Sequence, residues 1–224
     1  MAKTPTIAFA SPIVLASASP RRAELLRGLG IDFVVEPSPF PEPNARPTHV
    51  AIREWAEAMA YFKARAVAER VNGRWVLGAD TVVACAGRML GKPRDLDDAR
   101  RMLEMQAGVA SDVVSGVALL RRGEVRRAEN ASVTSNDREP ALDTFISSER
   151  TRVYMRDDKR LRDAYLASGD WRGKAGAYGI QDVGDALVER IEGGFDNVVG
   201  LPTSCVARML RAATARDGER AGAG

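Results

Sequence analysis

The chain has 224 residues and a mass of 24.2 kDa, which is enough for one large domain with a substantial hydrophobic core. Hydrophobic residues make up 45% and charged residues 28% of it, as in ordinary globular proteins, and no apolar run is long enough to predict a transmembrane helix. The net charge of +3 comes from 33 basic and 30 acidic residues that are dispersed along the sequence, which favours a small anionic ligand and argues against nucleic acid or a membrane as partner.

The few histidine and cysteine residues of the chain limit the catalytic mechanisms that it can use. His49 is the only histidine, which argues against a Ser-His-Asp triad or a histidine-rich zinc site. Cys85 and Cys205 form neither a disulfide framework nor a zinc-binding pattern, so we predict that both are core residues. Residues 1–10 lack the apolar segment of a signal peptide, and a cytoplasmic location is expected. Any hydrolysis would then depend on carboxylates, lysines, arginines and a bound cation.

The first helix is predicted to begin at Ser19 and Pro20, a serine N-cap followed by proline at the first helical position, and to end before Gly30. Its free N–H groups and dipole favour an anion. Arg21 and Arg22 in the first turn oppose the dipole unless an anion is bound there. The pattern indicates a phosphate site, and the alternative is a surface helix with incidental arginines.

Short apolar runs over residues 13–16 and 33–35 predict two strands. The second strand leads into a proline-rich loop over residues 36–43 that cannot be helical. Glu42 in this loop is either solvated or a carboxylate that binds a metal or acts as a base, and the sequence alone leaves both readings open.

A long helix is predicted from Thr48 to about Arg70. Lys63 lies beside its apolar face, so the ammonium group either reaches along the helix to solvent or points into a site. Large apolar side chains recur at spacings of three and four residues and predict that face: Ile52, Trp55, Met59, Phe62 and Ala66.

Residues 74–85 form a nearly continuous apolar run, typical of a strand that is buried on both faces of a sheet. Asp80 and Thr81 interrupt the run at its centre. A buried carboxylate is costly unless its charge is compensated. Backbone N–H groups could compensate it, but basic motifs lie before and after this strand, so we take Asp80 as the centre of the chemistry.

The second half of the chain predicts a mixture of strands and helices, with a helix capped by Asp95 just after Lys92. The glycine-rich segment over residues 173–181 contains Lys174 and Gln181 and allows the backbone to approach a ligand closely. Strands are predicted over 113–120 and 151–155, with an irregular insertion over about 121–150 between them. A helix to residue 167 follows, and then a hairpin of 186–191 with 197–199. The chain is predicted to end with a last helix from Pro202 and a disordered tail over 216–224.

No internal repeat is present, and strands and helices do not alternate strictly. We therefore predict an α/β (mixed α+β) fold, in which helices flank a central sheet. Residues 1–215 are expected to form a single domain.

Four motifs, in this order along the chain, resemble those of the Maf family, the nucleoside triphosphate pyrophosphatases that are also called septum-formation inhibitors. They are Leu15-Ala-Ser-Ala-Ser-Pro-Arg-Arg22, Leu77-Gly-Ala-Asp-Thr-Val-Val83, Leu90-Gly-Lys-Pro-Arg-Asp95 and Lys174-Ala-Gly-Ala-Tyr-Gly-Ile-Gln181. The resemblance covers residues 13–212, and Glu42, Lys63, Ser115-Gly116 and residues 197–202 also fall where the family has similar residues.

The resemblance implies metal-dependent cleavage between the α and β phosphates of a nucleoside triphosphate, with release of a nucleoside monophosphate and pyrophosphate. It implies a two-lobed fold around a long mixed sheet with the ligand in the cleft, and it is compatible with a homodimer. Asp80 matches the proton acceptor of the family. Arg21, Thr81 and Gln181 match its three specificity positions, with the identities of the subgroup that acts on dTTP and UTP.

From these residues we expect Mg²⁺ or Mn²⁺, held by Asp80 and Glu42. Basic side chains and the N-terminus of the first helix are expected to neutralise the charge of the triphosphate. Asp80 acts as general base, as metal ligand or as both, and Lys92 is assigned to catalysis with Asp80 and Glu42. The residues assigned to substrate binding are Ser17, Ser19, Arg21, Arg22, Lys63, Thr81, Lys174 and Gln181. Two further functions stay open: removal of damaged nucleotides by the same chemistry, and a regulatory nucleotide- or nucleic-acid-binding protein linked to septum formation.

Overall fold

The computed structural model describes residues 9–43, 46–123 and 142–222. Within these residues seven strands form one mixed sheet in the order β2-β1-β3-β5-β6-β7, and β4 also pairs with β3. The strands are β1 (Ile13–Leu15), β2 (Phe33–Val35), β3 (Val76–Cys85), β4 (Arg88–Leu90), β5 (Ala110–Arg122), β6 (Leu142–Met155) and β7 (Val188–Glu192).

Six α-helices of the described residues flank this sheet, so the mixed α/β fold predicted from the sequence is confirmed. None of them combines the length with the apolar character that crossing a membrane would require. The helices are α1 (Pro20–Gly28), α2 (Ile52–Ala68), α3 (Leu96–Gln106), α4 (Lys159–Ser168), α5 (Phe195–Val199) and α6 (Thr203–Gly222).

The central strand β3 has a gap along one of its edges. Along its other edge it pairs with β5 over its full length. On the gapped edge, parallel β1 pairs only with Val76 and Leu77, and β4 pairs only with Val83, Ala84 and Cys85. Residues 78–82 therefore have no strand on that side among the described residues, and Asp80 lies in the middle of this gap.

The hydrophobic core divides at the same point of β3. Before the gap, α6 packs on one face of the sheet and α2 on the other. Beyond the gap, Val83 and Cys85 of β3 belong to a separate cluster with α3 and α4. The two-lobed arrangement expected from the sequence is thus built on one strand that runs through both lobes.

Two glycines bring α2 unusually close to the sheet. A Cβ atom on Gly116 of β5 would lie 2.2 Å from the Ala56 carbonyl oxygen, and one on Gly78 of β3 would lie 2.3 Å from the Ala60 oxygen. The helix backbone therefore rests directly on the two strands, and alanines lie at the points of closest contact.

This contact explains why the predicted face of α2 is only partly right. Trp55 and Met59 are buried, but Phe62 is 40% exposed. Small residues lie where the helix backbone meets the two glycines, because only small side chains fit there, and Lys63 takes the place on this face that the sequence pattern gave to Phe62. Its buried members are Trp55, Ala56, Met59, Ala60, Lys63, Ala64, Val67 and Ala68.

Three predictions about the second half of the chain are wrong. The irregular insertion expected over 121–150 is strand from Leu142 onward, because β6 pairs residue by residue with β5 as far as Arg122↔Leu142; residues 124–141 lie outside the described part. The tail expected to be disordered from 216 belongs to α6, where Asp217 accepts a hydrogen bond from Trp75 Nε1 at 3.1 Å.

The third difference concerns residues 197–199, which belong to α5 and not to a strand of a hairpin. The side-chain amide of Asn197 donates to the Val113 carbonyl at 3.1 Å and to Thr151 Oγ1 at 3.0 Å. These buried bonds to β5 and β6 hold the short helix across the end of the sheet, a contact that no local sequence pattern reveals.

The close approach of α2 predicts that Gly116→Ala destabilises the protein, because the new methyl group would meet helix backbone that cannot rotate away. We expect the free energy of unfolding to fall by about 2 kcal/mol or more, measured by urea denaturation. Gly28→Ala is the matched control, since a Cβ there has no neighbour within 4 Å. Equal stabilities of the two variants would contradict the close contact.

Candidate active site

A cavity of about 970 Å³ opens beside the gap in β3. Its walls come from the loop after β1, the start of α1, the proline-rich loop, α2, β3, the segment after β4 and the glycine-rich loop. Every residue assigned to the site from the sequence lines this cavity: Ser17, Ser19, Arg21, Arg22, Glu42, Lys63, Asp80, Thr81, Lys92, Lys174 and Gln181. The structure thus brings these residues together, while their individual roles stay predictions.

Lys63 joins the two carboxylates of the site. Its Nζ lies 2.6 Å from Asp80 Oδ1 and 2.6 Å from Glu42 Oε1. The side chains of Lys63 and Asp80 are only 9% and 13% exposed, whereas that of Glu42 is 52% exposed. Lys92 Nζ lies 3.5 Å from Glu42 Oε2 on the outer side. Of the two orientations that the sequence left open for Lys63, the structure shows the one that points into the site.

The face of β3 that carries Gly78 also carries Asp80, because side chains two residues apart project from the same face of a strand. Gly78 is the point at which α2 rests on β3. The same contact that buries the alanines of α2 therefore holds Lys63 against Asp80, where its charge compensates a carboxylate with little access to water.

Glu42 is held by an aromatic contact that the sequence did not predict. The ring of Phe40 stacks on Phe62 of α2, with centroids 5.3 Å apart and an interplanar angle of 14°. This contact anchors the proline-rich loop to the helix two residues before Glu42. Lys63, through its hydrogen bond and its charge, holds the pKa of the Glu42 carboxyl below its usual value.

Arg22 closes the open edge of β3. Its Nη1 donates to the Ala79 carbonyl at 2.8 Å. This is the edge of β3 on which the Leu77 carbonyl accepts from the N–H of Ala16, directly after β1. Nε donates to the Gly200 carbonyl at 2.9 Å, and the remaining bonds go to Ser17 Oγ and Thr81 Oγ1 at 3.3 and 3.2 Å.

The guanidinium of Arg22 therefore makes four hydrogen bonds within the described part of the chain, out of five N–H donors. Burial lowers the pKa of Arg22, while the charges of Asp80 and Glu42 oppose that effect, and a guanidinium stays protonated in proteins. Arg22 chiefly organises the walls of the site, a role that its position in the first turn of α1 did not indicate.

A directed chain of hydrogen bonds continues from Arg22 into the sheet. Arg22 donates to Thr81 Oγ1, which lies 2.8 Å from Ser115 Oγ, and Ser115 donates to the Asn197 carbonyl at 3.0 Å. Since the single hydrogen of Ser115 goes to Asn197, the short contact has Thr81 as its donor; the Gly200 carbonyl is a more distant acceptor, 3.4 Å from Thr81 Oγ1. The Thr81 hydroxyl is thus fixed in orientation by buried partners in β5 and α5.

The start of α1 and the glycine-rich loop form the cationic end of the cavity. Ser19 is the N-cap of α1 but makes no side-chain capping bond, and its own N–H is bonded to Ser17 Oγ at 3.2 Å. A Cβ on Gly179 would lie 3.0 Å from Lys174 Cδ and 3.3 Å from Arg21 Nη1. Glycine at this position therefore lets the two cationic side chains converge over the loop that ends in Gln181.

The donor set fits a divalent cation of the Mg²⁺ type. Such ions keep several waters and are bound through one or two carboxylates together with substrate phosphates. Glu42 and Asp80 supply two carboxylates on the cavity wall, joined by one ammonium group. No cluster of three or more His, Cys, Asp or Glu side chains suited to a metal occurs in the described residues, so a cation here would need ligands from a bound phosphate.

The sequence matches the family described as Maf-like protein over residues 12–213. It is 42% identical over 208 residues to a dTTP/UTP pyrophosphatase of Citrifermentans bemidjiense, covering 90% of this chain and 95% of the relative. It is 43% identical over 202 residues to a dTTP/UTP pyrophosphatase of Geobacter sulfurreducens, covering 89% and 95%.

A solved structure of a nucleoside-triphosphatase / dITP/XTP pyrophosphatase from Mycobacterium abscessus aligns with 92% of this chain and 98% of that chain. The identity is 18% and the TM-score is 0.43. At that distance the likeness carries no argument about the site.

The ion pair of Glu42 with Lys63 predicts a defined pH dependence of stability. Because the folded-state pKa lies below the usual 4.5, the contribution of Glu42 is complete above pH 4.5 and disappears as the pH falls through the folded-state pKa. The free energy of unfolding of wild type relative to Glu42→Gln should therefore stay constant from pH 7 towards pH 5 and shrink only below about 4.5.

In a Lys63→Met background, Glu42→Gln should have a much smaller effect at any pH, because of the two lysines at this carboxylate only the more distant and more exposed Lys92 remains. Urea denaturation across this pH range measures both comparisons. A difference that already disappears between pH 7 and pH 5 would contradict the pairing.

Proposed function

The chain belongs to the family of Maf-like proteins, and we propose that it hydrolyses dTTP and UTP between the α and β phosphates, giving the nucleoside monophosphate and pyrophosphate. The observation that carries this proposal is the placement of Asp80, joined to Glu42 through Lys63, on the wall of a cavity whose other end is cationic. The names of the relatives supply the nucleotide class.

The reaction requires in-line attack of water on a phosphorus that is surrounded by negative charge, so positioning and charge neutralisation dominate catalysis. The N-terminus of α1 offers backbone N–H groups and a positive dipole end for a phosphate. Arg21, Lys92 and Lys174 line the same cavity and would neutralise the rest of the triphosphate.

Asp80 is the group proposed to orient the attacking water and to accept its proton. Lys63 donates to one oxygen of this carboxylate at 2.6 Å, which leaves the second oxygen for the water. Glu42, bound to the same ammonium group, brings a second carboxylate to the outer side of the site.

Asp80 and Glu42 are also the residues that would hold Mg²⁺ or Mn²⁺. The bound cation would supply charge to the phosphate oxygens and help to orient water. Metal dependence is part of the proposal, and it is supported by the fit of two carboxylates facing a phosphate site.

Gln181 suits a pyrimidine base for a physical reason. Its amide offers one donor and one acceptor, which match the O4 acceptor and the N3–H donor of uracil or thymine. A guanine edge presents two adjacent donors and would favour a carboxylate. Gln181 lines the cavity beside Arg21, so the base would lie at the cationic end.

A panel of nucleoside triphosphates, assayed for pyrophosphate release with Mg²⁺, with Mn²⁺ and with a chelator, tests the proposed function. We expect dTTP and UTP to be the preferred standard nucleotides and the chelator to abolish turnover. No pyrophosphate release from any nucleotide, together with salt-sensitive binding to DNA or RNA, would instead support the regulatory alternative.

Asp80→Asn should lower kcat by roughly 10³-fold, because the amide cannot accept the proton of the attacking water. Asp97→Asn is the matched control: it makes the same change at an exposed position of α3 and should retain wild-type turnover. Circular dichroism would verify that both variants fold. Near-normal turnover in folded Asp80→Asn rejects the assignment.

Gln181→Glu should lower kcat/KM for UTP by about tenfold or more, because a carboxylate replaces the amide donor that faces the O4 acceptor. The activity towards GTP should fall less or rise. Parallel kinetics with UTP and GTP measure the change in preference, and an unchanged UTP/GTP ratio contradicts the role of Gln181.

A further inference from the structure

Gln106 is a fully buried polar side chain that the proposed chemistry does not use. It is the last residue of α3, has 0% exposure, and lies next to the apolar cluster beyond the gap in β3. Its Oε1 has no hydrogen-bond partner in the described part of the chain. Burying a side-chain amide whose oxygen has no partner is unfavourable. The hydrogen bonds donated by the nitrogen of the same amide offset this cost.

The compensating contact is a hydrogen bond to the glycine-rich loop. Nε2 of Gln106 donates to the Gly176 carbonyl at 2.8 Å and to the Met102 carbonyl at 3.0 Å. The Met102 carbonyl belongs to the same helix as Gln106. The bond to Gly176 is the one that connects the core of this lobe to the loop that contains Lys174 and Gln181.

The peptide unit that receives this bond is strained. Gly176 has φ +70 and the next residue, Ala177, has φ +61. Positive φ is accessible to glycine but unfavourable for alanine, and such strain persists only where the surroundings fix it. Rotating the plane of the 176–177 peptide would move Ala177 out of this region.

Neighbouring contacts fix the two ends of the loop but leave that carbonyl to Gln106. The Gly176 N–H donates to the Gly91 carbonyl at 3.0 Å, next to Lys92. The Gly179 N–H donates to the Tyr165 hydroxyl at 3.2 Å, and burial raises the pKa of Tyr165 to about 12. A Cβ on Gly176 would lie 3.0 Å from Val83 Cγ1, so the loop lies directly on β3 two residues beyond Thr81.

We propose that Gln106 is a positioning residue: its hydrogen bond holds the 176–177 peptide in the strained orientation that places Gln181 for recognition of the base. This inference rests on the proposed function, since base recognition is the property that Gln106 supports. Without the bond, the peptide is held, among the described residues, only by the Ala177 N–H, which donates to the Lys174 carbonyl at 3.1 Å within the same loop. The peptide then rotates, Ala177 relaxes and the segment that leads to Gln181 shifts. The cluster of Asp80, Lys63 and Glu42 shares no hydrogen bond with Gln106 in the described part of the chain and stays in place.

The test is Gln106→Met, which has similar length and volume but no donor for the Gly176 carbonyl. KM for UTP should rise about tenfold, and the preference for UTP over CTP should decrease. The value of kcat should stay within about threefold of wild type, because the Asp80 cluster is untouched.

Leu103→Met is the matched control, a change of similar size in the same helix and core cluster that should leave all three quantities unaltered. Should Gln106→Met fail to fold, Gln106→Leu carries the same test.

Wild-type turnover is measured first, so that a failure of the proposed function is distinguishable from a failure of this inference. If wild type releases pyrophosphate from UTP but KM and the UTP/CTP preference are unchanged in folded Gln106→Met, the positioning role is overturned. An equal change in Leu103→Met overturns it as well, because a general disturbance of the core would then explain the result. A raised KM and a lost preference confined to the Gln106 variant support it.

Discussion

The site depends on one ammonium group that joins two carboxylates. Lys63 lies 2.6 Å from both Asp80 and Glu42, and without it Asp80 would be a nearly buried charge on a central strand. Lys63 reaches this position because α2 rests on Gly78 and Gly116 through helix backbone and alanine side chains. The ion pairs of the site therefore depend on the packing of α2 on the sheet. A methyl group added at either glycine would disturb the packing and the position of Lys63 together.

The location of the site follows from incomplete strand pairing. β1 pairs with the beginning of β3 and β4 with its end, which leaves residues 78–82 open on one edge. An open edge exposes carbonyl groups that need partners. Arg22 supplies one of them by donating to Ala79, and through Thr81 and Ser115 it connects the edge to α5. The cavity thus occupies the part of β3 that no strand covers.

The sequence predicted those features of the site that depend on local pattern. An apolar run interrupted by Asp80 and Thr81 indicated a buried functional strand, and Ser19 with Pro20 indicated the start of α1. The neighbourhood of Lys63 left two orientations open, because the position of a side chain beside an apolar stripe does not reveal what lies opposite. The roles of Phe40 and Gln106 depend on contacts between segments that are distant along the chain, and no local pattern indicated them.

The strand from Leu142, the end of α6 and the short α5 differ from the sequence prediction for a related physical reason. Each is held by partners far away in sequence: β5 along the whole of β6, Trp75 and Arg121 at Asp217, and Val113 and Thr151 at Asn197. Tertiary pairing overrides weak local propensity in such segments.

The central claim is that Asp80, held by Lys63, acts on a triphosphate in this cavity. The most direct measurement is a crystal structure of the protein with Mg²⁺ and an α,β-imido analogue of UTP, in which the bond to be cleaved cannot be hydrolysed. The account predicts an ordered water between the Asp80 carboxylate and the phosphorus that is attacked, in line with the bond from that phosphorus to the bridging nitrogen, and it predicts that the base lies at Gln181. A triphosphate bound away from the gap in β3, with Asp80 out of reach of any phosphorus, would contradict it.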